Sequence, residues 1–180
     1  FGLDNASMRM SFDYGINDKL MIGIGRSTIL KDLDLFVKAR ILQQTKGQKQ
    51  MPVSLLLAAG YIVTTQESFA AVKPTVADRS SYFFQMIIGR KFSSVFSAQL
   101  SPLLVYNNMT LNPTDNRAIV GLGGGARCKV SKRIALMVDY HYALGKLDAS
   151  ITNSLSVGVD IETGGHVFQL HFSNVTGMNE

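Results

Sequence analysis

Asp139, His141, Asp160, Glu162 and His171 are the residues of this sequence best equipped for chemistry. Carboxylates beside imidazoles can ligate a divalent metal or move protons in acid–base catalysis. These residues fall on three consecutive predicted strands, so they converge only if neighbouring strands pair in a suitable register. No HExxH motif and no cysteine pair accompanies them. The expectation is therefore no metal, no cofactor, no catalytic residue and a protein that is not an enzyme. A hydrolytic site stays open as a lesser alternative, although no matching motif is present.

Gly121-Leu-Gly-Gly-Gly-Ala126 formally fits a dinucleotide-binding fingerprint. That fingerprint needs a helix whose N-terminus holds the pyrophosphate. Here Arg127-Cys-Lys-Val-Ser-Lys leads into a tight turn and another strand-like segment. The better expectation is a glycine-rich strand that bends, or lets a loop or plug approach.

The remaining polar groups recur at every second position. Ile134, Leu136, Val138, Tyr140, Tyr142 and Leu144 alternate with Arg133, Ala135, Met137, Asp139, His141 and Ala143. Period two means a strand with two different faces. The pattern repeats over 7–14, 19–25, 33–42, 52–64, 81–90, 95–106, 118–130, 133–144, 155–161 and 166–173. The segment 52–64 is apolar on both faces, so its direction is ambiguous. Pro102 predicts a bulge or local break within 95–106. A bilayer supplies both environments when strands close into a barrel, with lipid outside and a polar lumen inside. On that orientation the lumen-facing polar residues are Arg9, Asp13, Lys38, Arg40, Gln85, Gln99, Arg127, Lys129, Asp139, His141, Asp160, Gln169 and His171. An unpaired charge in a low-dielectric space is costly, so these groups must meet water, a plug or one another. They make either a network that holds the barrel's shape or a small hydrated passage.

Composition agrees. Charged residues make up 17% of the chain and hydrophobic ones 46%, whereas a soluble domain is about a quarter charged. No apolar run reaches the roughly 18 residues of a membrane-spanning helix, which leaves strands as the spanning element. The net charge of +5 is scattered and forms no basic stripe with interleaved aromatics, so no nucleic-acid partner is expected. Basic loop residues suit anionic lipid headgroups equally well. The single cysteine, Cys128, excludes an internal disulfide. Tyr14, Tyr82, Tyr106, Tyr140 and Tyr142 suit the headgroup zone.

Connections 15–18, 91–94, 131–132 and 163–165 are tight; 26–32, 65–79, 107–117 and 145–153 are longer, and 43–50 is intermediate. Short turns at one end and long loops at the other are the habit of outer-membrane barrels. Three tight turns share a plan, an apolar residue (Ile16, Phe92 or Val130) followed by small or polar residues. The first strand would descend toward the periplasm and the tenth would ascend. Bacterial barrels keep both termini in the periplasm, so one further strand at each end is expected. Phe168, Leu170 and Phe172 also look like an aromatic-ended terminal signal, which would remove the need for the last strand. The opening Phe1-Gly-Leu-Asp is no signal peptide, as expected of a mature chain or internal fragment.

Three stretches carry a family resemblance. They are Phe1-Gly-Leu-Asp-Asn-Ala, Tyr14-Gly-Ile-Asn-Asp-Lys-Leu-Met-Ile-Gly-Ile-Gly-Arg-Ser and Asp160-Ile-Glu-Thr-Gly-Gly-His-Val-Phe-Gln-Leu-His-Phe-Ser-Asn. The chain resembles an uncharacterised family of outer-membrane β-barrel proteins found in Bacteroidota-type Gram-negative bacteria. The resemblance implies the fold, the bacterial outer membrane as location, and further strands on both sides. It implies no activity.

The sequence reading is thus an all-β chain, an antiparallel up-and-down transmembrane β-barrel. It has about ten strands here and twelve in the whole protein, with residues 1–180 a single barrel domain. Its expected role is a narrow channel or transport protein, or a membrane anchor and scaffold in a cell-envelope complex. Outer-membrane lipid and other envelope proteins are the expected partners. A soluble lipocalin-like binding barrel is the alternative, because strand alternation alone does not say which face is inside.

Overall fold

Alternation of apolar and polar side chains makes ten strands and no helix in the computed structural model, which describes residues 8–28, 31–47, 50–66, 73–110, 116–145 and 152–175. The motif at 1–6 and the predicted start of the first strand at Ser7 lie outside these residues. The strands are β1 (Arg9–Asn17), β2 (Leu20–Ser27), β3 (Asp32–Leu42), β4 (Ser54–Thr64), β5 (Ser80–Lys91), β6 (Phe96–Asn107), β7 (Ala118–Lys129), β8 (Ile134–Leu144), β9 (Ser154–Glu162) and β10 (Val167–Ser173). They form one sheet in chain order, β1 to β10. Every neighbour pair is antiparallel. Among the described residues β1 and β10 do not pair with each other, so the sheet is not closed.

The orientation is the one the membrane reading requires. Leu136, Val138, Phe84 and Met86 are exposed, while Asp34 and Ser101 are 0% exposed. A lipocalin-like barrel needs the reverse. On β6 the outward row runs Phe96, Ala98, Leu100, Pro102, Leu104, Tyr106, apolar throughout and aromatic at each end. At about 3.4 Å per residue this row is about 34 Å long. A barrel tilt of about 40° turns that into about 26 Å of height, the size of a barrel's lipid-facing band. Tyr61, Tyr82 and Tyr106 are register partners across β4, β5 and β6, so they line up at the long-loop end of that band.

Pro102 neither bulges nor breaks β6. The ladder to β7 runs through Ser101, Pro102 and Leu103 without a shift. On the β5 side the pairing lapses between Gln85↔Leu103 and Ile88↔Leu100 and resumes in the same register. Proline has no N–H to give. The cost is confined to one ladder while the other holds the strand straight.

Three of the tight turns share a chemical device. The side-chain oxygen of Asn17 accepts from the N–H groups of Lys19 and Leu20. Ser93 serves Val95 and Phe96 in the same way, and Ser131 serves Arg133 and Ile134. Such side chains satisfy turn N–H groups that the ladder cannot reach. The longer short-end loop is tied down differently. The Gln44 amide accepts from Lys91 N–H at 2.8 Å and donates to Lys91 carbonyl at 2.9 Å, replacing a strand neighbour at the end of β5.

The inward face is not polar throughout. Phe36, Ala58 and Phe83 are buried there, with Met21, Leu56, Ile62 and Val105 packed against them. This explains the two apolar faces of β4, since Leu57 is exposed outward whereas Leu56 and Ile62 complete the inner patch. Two glycines make the patch possible. A Cβ on Gly23 would lie 2.1 Å from the Phe36 ring, and one on Gly60 would lie 2.1 Å from the Phe83 ring. The far end of each aromatic ring covers a glycine on the neighbouring strand.

Candidate functional site

The ladder register puts all the polar residues singled out in the sequence on the inward face. One row runs Gln99, Gly125, Asp139, Ser156, Ser173 across β6 to β10. The next runs Arg127, Met137, Gly158, His171, and a third Lys129, Ala135, Asp160, Gln169. On β1 to β5, Asp13 is opposite Gly23, Lys38 is opposite Ala58, and Ala58 is opposite Gln85.

Some of these residues come together. Arg9 Nη2 donates to Asp34 Oδ1 at 2.7 Å. Arg127 Nε donates to Asp160 Oδ2 at 3.1 Å, its Nη2 forms an ion pair with the same oxygen at 3.1 Å, and Gln169 Nε2 donates to Asp160 Oδ1 at 2.9 Å. Asp160 is 6% exposed, and these partners occupy both of its oxygens. His141 Nδ1 lies 2.9 Å from Asp139 Oδ1. Lys38 Nζ stands 4.7 Å from the Phe36 ring centroid, a cation on an aromatic face. Arg40 Nη2 donates to the backbone carbonyl of Asp18 and ties β3 to the first turn.

Others stay apart. Asp13 and Lys129 are exposed and Gln85 is half-buried. Asp160 is committed to Arg127 and Gln169, so Asp139, His141, Asp160, Glu162 and His171 do not form one centre. Among the described residues no three His, Cys, Asp or Glu side chains are placed to hold a metal ion.

Sequence reasoning missed Ser101. A Cβ on Gly123 would lie 2.5 Å from both Ser101 Oγ and His141 Nε2, so serine and imidazole face each other over that glycine. With Asp139 on Nδ1, the order is Asp–His–Ser. The geometry stops short of a nucleophile, however. Ser101 is 0% exposed and its Oγ makes no hydrogen bond. A catalytic serine needs both a base within hydrogen-bond reach and a path for substrate. The pair was invisible in the sequence because His141 and Ser101 meet only through the register of β6, β7 and β8.

The glycine-rich segment is explained by the same packing. Gly123 seats His141 and Ser101, Gly125 seats Asp139 and Gln99, and Gly158 on β9 seats His171. Among the described residues these glycines receive the side chains of neighbouring strands and not a loop. β7 runs directly into the Ser131 turn and β8, with no helix to hold a pyrophosphate.

Beside these glycines lies a cavity of about 440 Å³. Its wall includes Gly89, Gln99, Arg127, Met137, Asp139 and His171. Ser54 on β4 and His171 on β10 both border it, so the sheet curls around it.

No curated protein and no solved structure matches this sequence. The lipid-sized apolar exterior, the polar inward face and the up-and-down order all describe a membrane barrel. A family sequence model agrees over residues 1–180, and the chain belongs to the family described as a membrane bound beta barrel domain (DUF5777).

Proposed function

We propose that this domain is an integral outer-membrane barrel whose interior gives small polar solutes a narrow passage along β5 to β10. The observation that carries the reading is the cavity of about 440 Å³, lined by residues of β4 to β10. Its size falls within the roughly 300–1,000 Å³ of small-molecule sites. Arg127, Asp139 and His171 present both signs of charge, which suits polar solutes without selecting cations or anions. The turn lengths support the outer membrane as the location. Connections 18–19, 92–95, 130–133 and 163–166 lie at one end together with the longer 43–53; 65–79, 108–117 and 145–153 lie at the other together with 28–31, which is shorter than the 26–32 loop expected from the sequence. A further strand on each free edge would satisfy the backbone groups that β1 and β10 leave outside a ladder, as hydrocarbon demands. The burial of Ser101 argues against that serine as a nucleophile.

Conductance in planar bilayers tests the passage. The full-length protein should give small discrete steps, and Gln99→Trp should lower them severalfold while heat-modifiable migration on a gel is kept. Folded protein that neither conducts nor swells solute-loaded liposomes would remove the passage. It would leave the second reading, a membrane anchor for other envelope proteins, which the ion-paired and aromatic-filled interior favours.

A further inference from the structure

The outer face does not end alike at its two ends. At the long-loop end it closes with Tyr61, Tyr82 and Tyr106. At the short-turn end each capped turn carries an exposed apolar residue immediately before the capping oxygen: Ile16 before Asn17, Phe92 before Ser93, Val130 before Ser131. Each of these has exposed cations within three residues, namely Lys19, Arg90 with Lys91, and Lys132 with Arg133. The Arg90 guanidinium carbon lies 5.1 Å from the Phe92 ring centroid, and Phe92 is tilted against Phe96 at 5.7 Å. The cation is therefore held at the edge of the lipid-facing band, with its other face turned to solvent.

Pairing separates these cations from the interior ones. Arg9 and Arg127 are matched by Asp34 and Asp160. Among the described residues no ion pair engages Lys19, Arg90, Lys91, Lys132 or Arg133. Asp18 and Glu162 are the exposed carboxylates near this rim and are too few to balance it. An apolar anchor sunk in the acyl layer places such a cation at the depth of the phosphates, where an anionic surface attracts it.

We propose that the short-turn rim seats the headgroups of anionic phospholipids, with Arg90 and Lys132 as the principal phosphate contacts. The rim then selects lipid charge and fixes which end of the barrel meets the phospholipid leaflet. This holds whether the lumen conducts or is closed.

The test uses full-length protein in mixed phosphatidylcholine–phosphatidylglycerol micelles, with retained lipid adducts counted by native mass spectrometry. Each engaged cation is worth about fivefold in association with an anionic surface. Phosphatidylglycerol should be retained in preference to phosphatidylcholine. The variant Arg90→Gln/Lys132→Gln should lose that preference by about tenfold or more. Arg79→Gln/Arg117→Gln at the long-loop end should keep it. Equal retention of the two lipids by the unaltered protein overturns the proposal, as does an equal loss in the long-loop control. Heat-modifiable migration confirms that each variant is folded.

Discussion

Arg9 on β1 reaches over β2 to donate to Asp34 on β3 at 2.7 Å. The strand between them is small at the crossing point. A Cβ on Gly25 would stand 2.6 Å from Arg9 Nη2 and from Asp34 Oδ1. The other half of the sheet repeats the device, since Arg127 on β7 reaches Asp160 on β9 past Ala135 on β8, which is 2% exposed. A contact between strands two apart shortens the inner face relative to the outer one, so these clasps favour the sheet's inward curl.

Breaking the first clasp should expose what it stabilises. Asp34 is wholly buried, so Arg9→Ala leaves a carboxylate without its cation, at a cost of about 3–5 kcal/mol. Replacing both partners, Arg9→Met with Asp34→Leu, should cost far less, because no buried charge remains. Urea unfolding in lipid vesicles gives both values. A double variant as unstable as Arg9→Ala would show that the ion pair itself is required.

The aromatic patch gives a second prediction. Phe36→Ala should cost about 3–5 kcal/mol, the usual range for emptying an aromatic core site. Gly23→Ala should cost about 1–3 kcal/mol by overpacking against the Phe36 ring. Adding Phe36→Leu to Gly23→Ala should recover part of that loss, since the two residues touch and are not additive. Unfolding midpoints of the three variants decide it.

Acid should loosen the turn before β5. Asp78 is held below the ordinary carboxylate range, first by the Thr75 hydroxyl, then by the Thr75 N–H and the nearby Arg117 charge, against a small desolvation effect. The Thr75 bonds to Asp78 Oδ2 are 2.7 Å from Oγ1 and 2.8 Å from N. A depressed pKa contributes order that is complete above the unfolded value and is lost as pH falls through the folded one. Hydrogen exchange at Arg79 and Ser80 should therefore stay slow near neutrality and quicken only below the ordinary carboxylate range. Thr75→Val should move that transition to higher pH. An unchanged profile in Thr75→Val would mean that the hydroxyl does not set it.

The strands and the outward face were legible in the sequence because a period of two reports both directly. Leu136 and Val138 declare their side of β8 by spacing alone. What spacing cannot report is which inward residues meet. Arg127 and Asp160 are far apart in the chain and become partners only through two successive registers. Ser101 and His141 meet over Gly123 for the same reason. The inner apolar patch was hidden because β4 is apolar on both faces, and only Phe36 over Gly23 and Phe83 over Gly60 show what its inner face is for. Pro102 misled because a missing N–H was weighed without the intact ladder on its other side.

The measurement that tests the account most directly is residue-by-residue contact with lipid. In a Cys128→Ser background, single cysteines placed along β8 from Leu136 to His141 carry a fluorophore in vesicles containing brominated lipid. Quenching should be strong at Leu136, Val138 and Tyr140 and weak at Met137, Asp139 and His141. Uniform quenching along β8, or the opposite alternation, would mean that the apolar side chains do not face the bilayer.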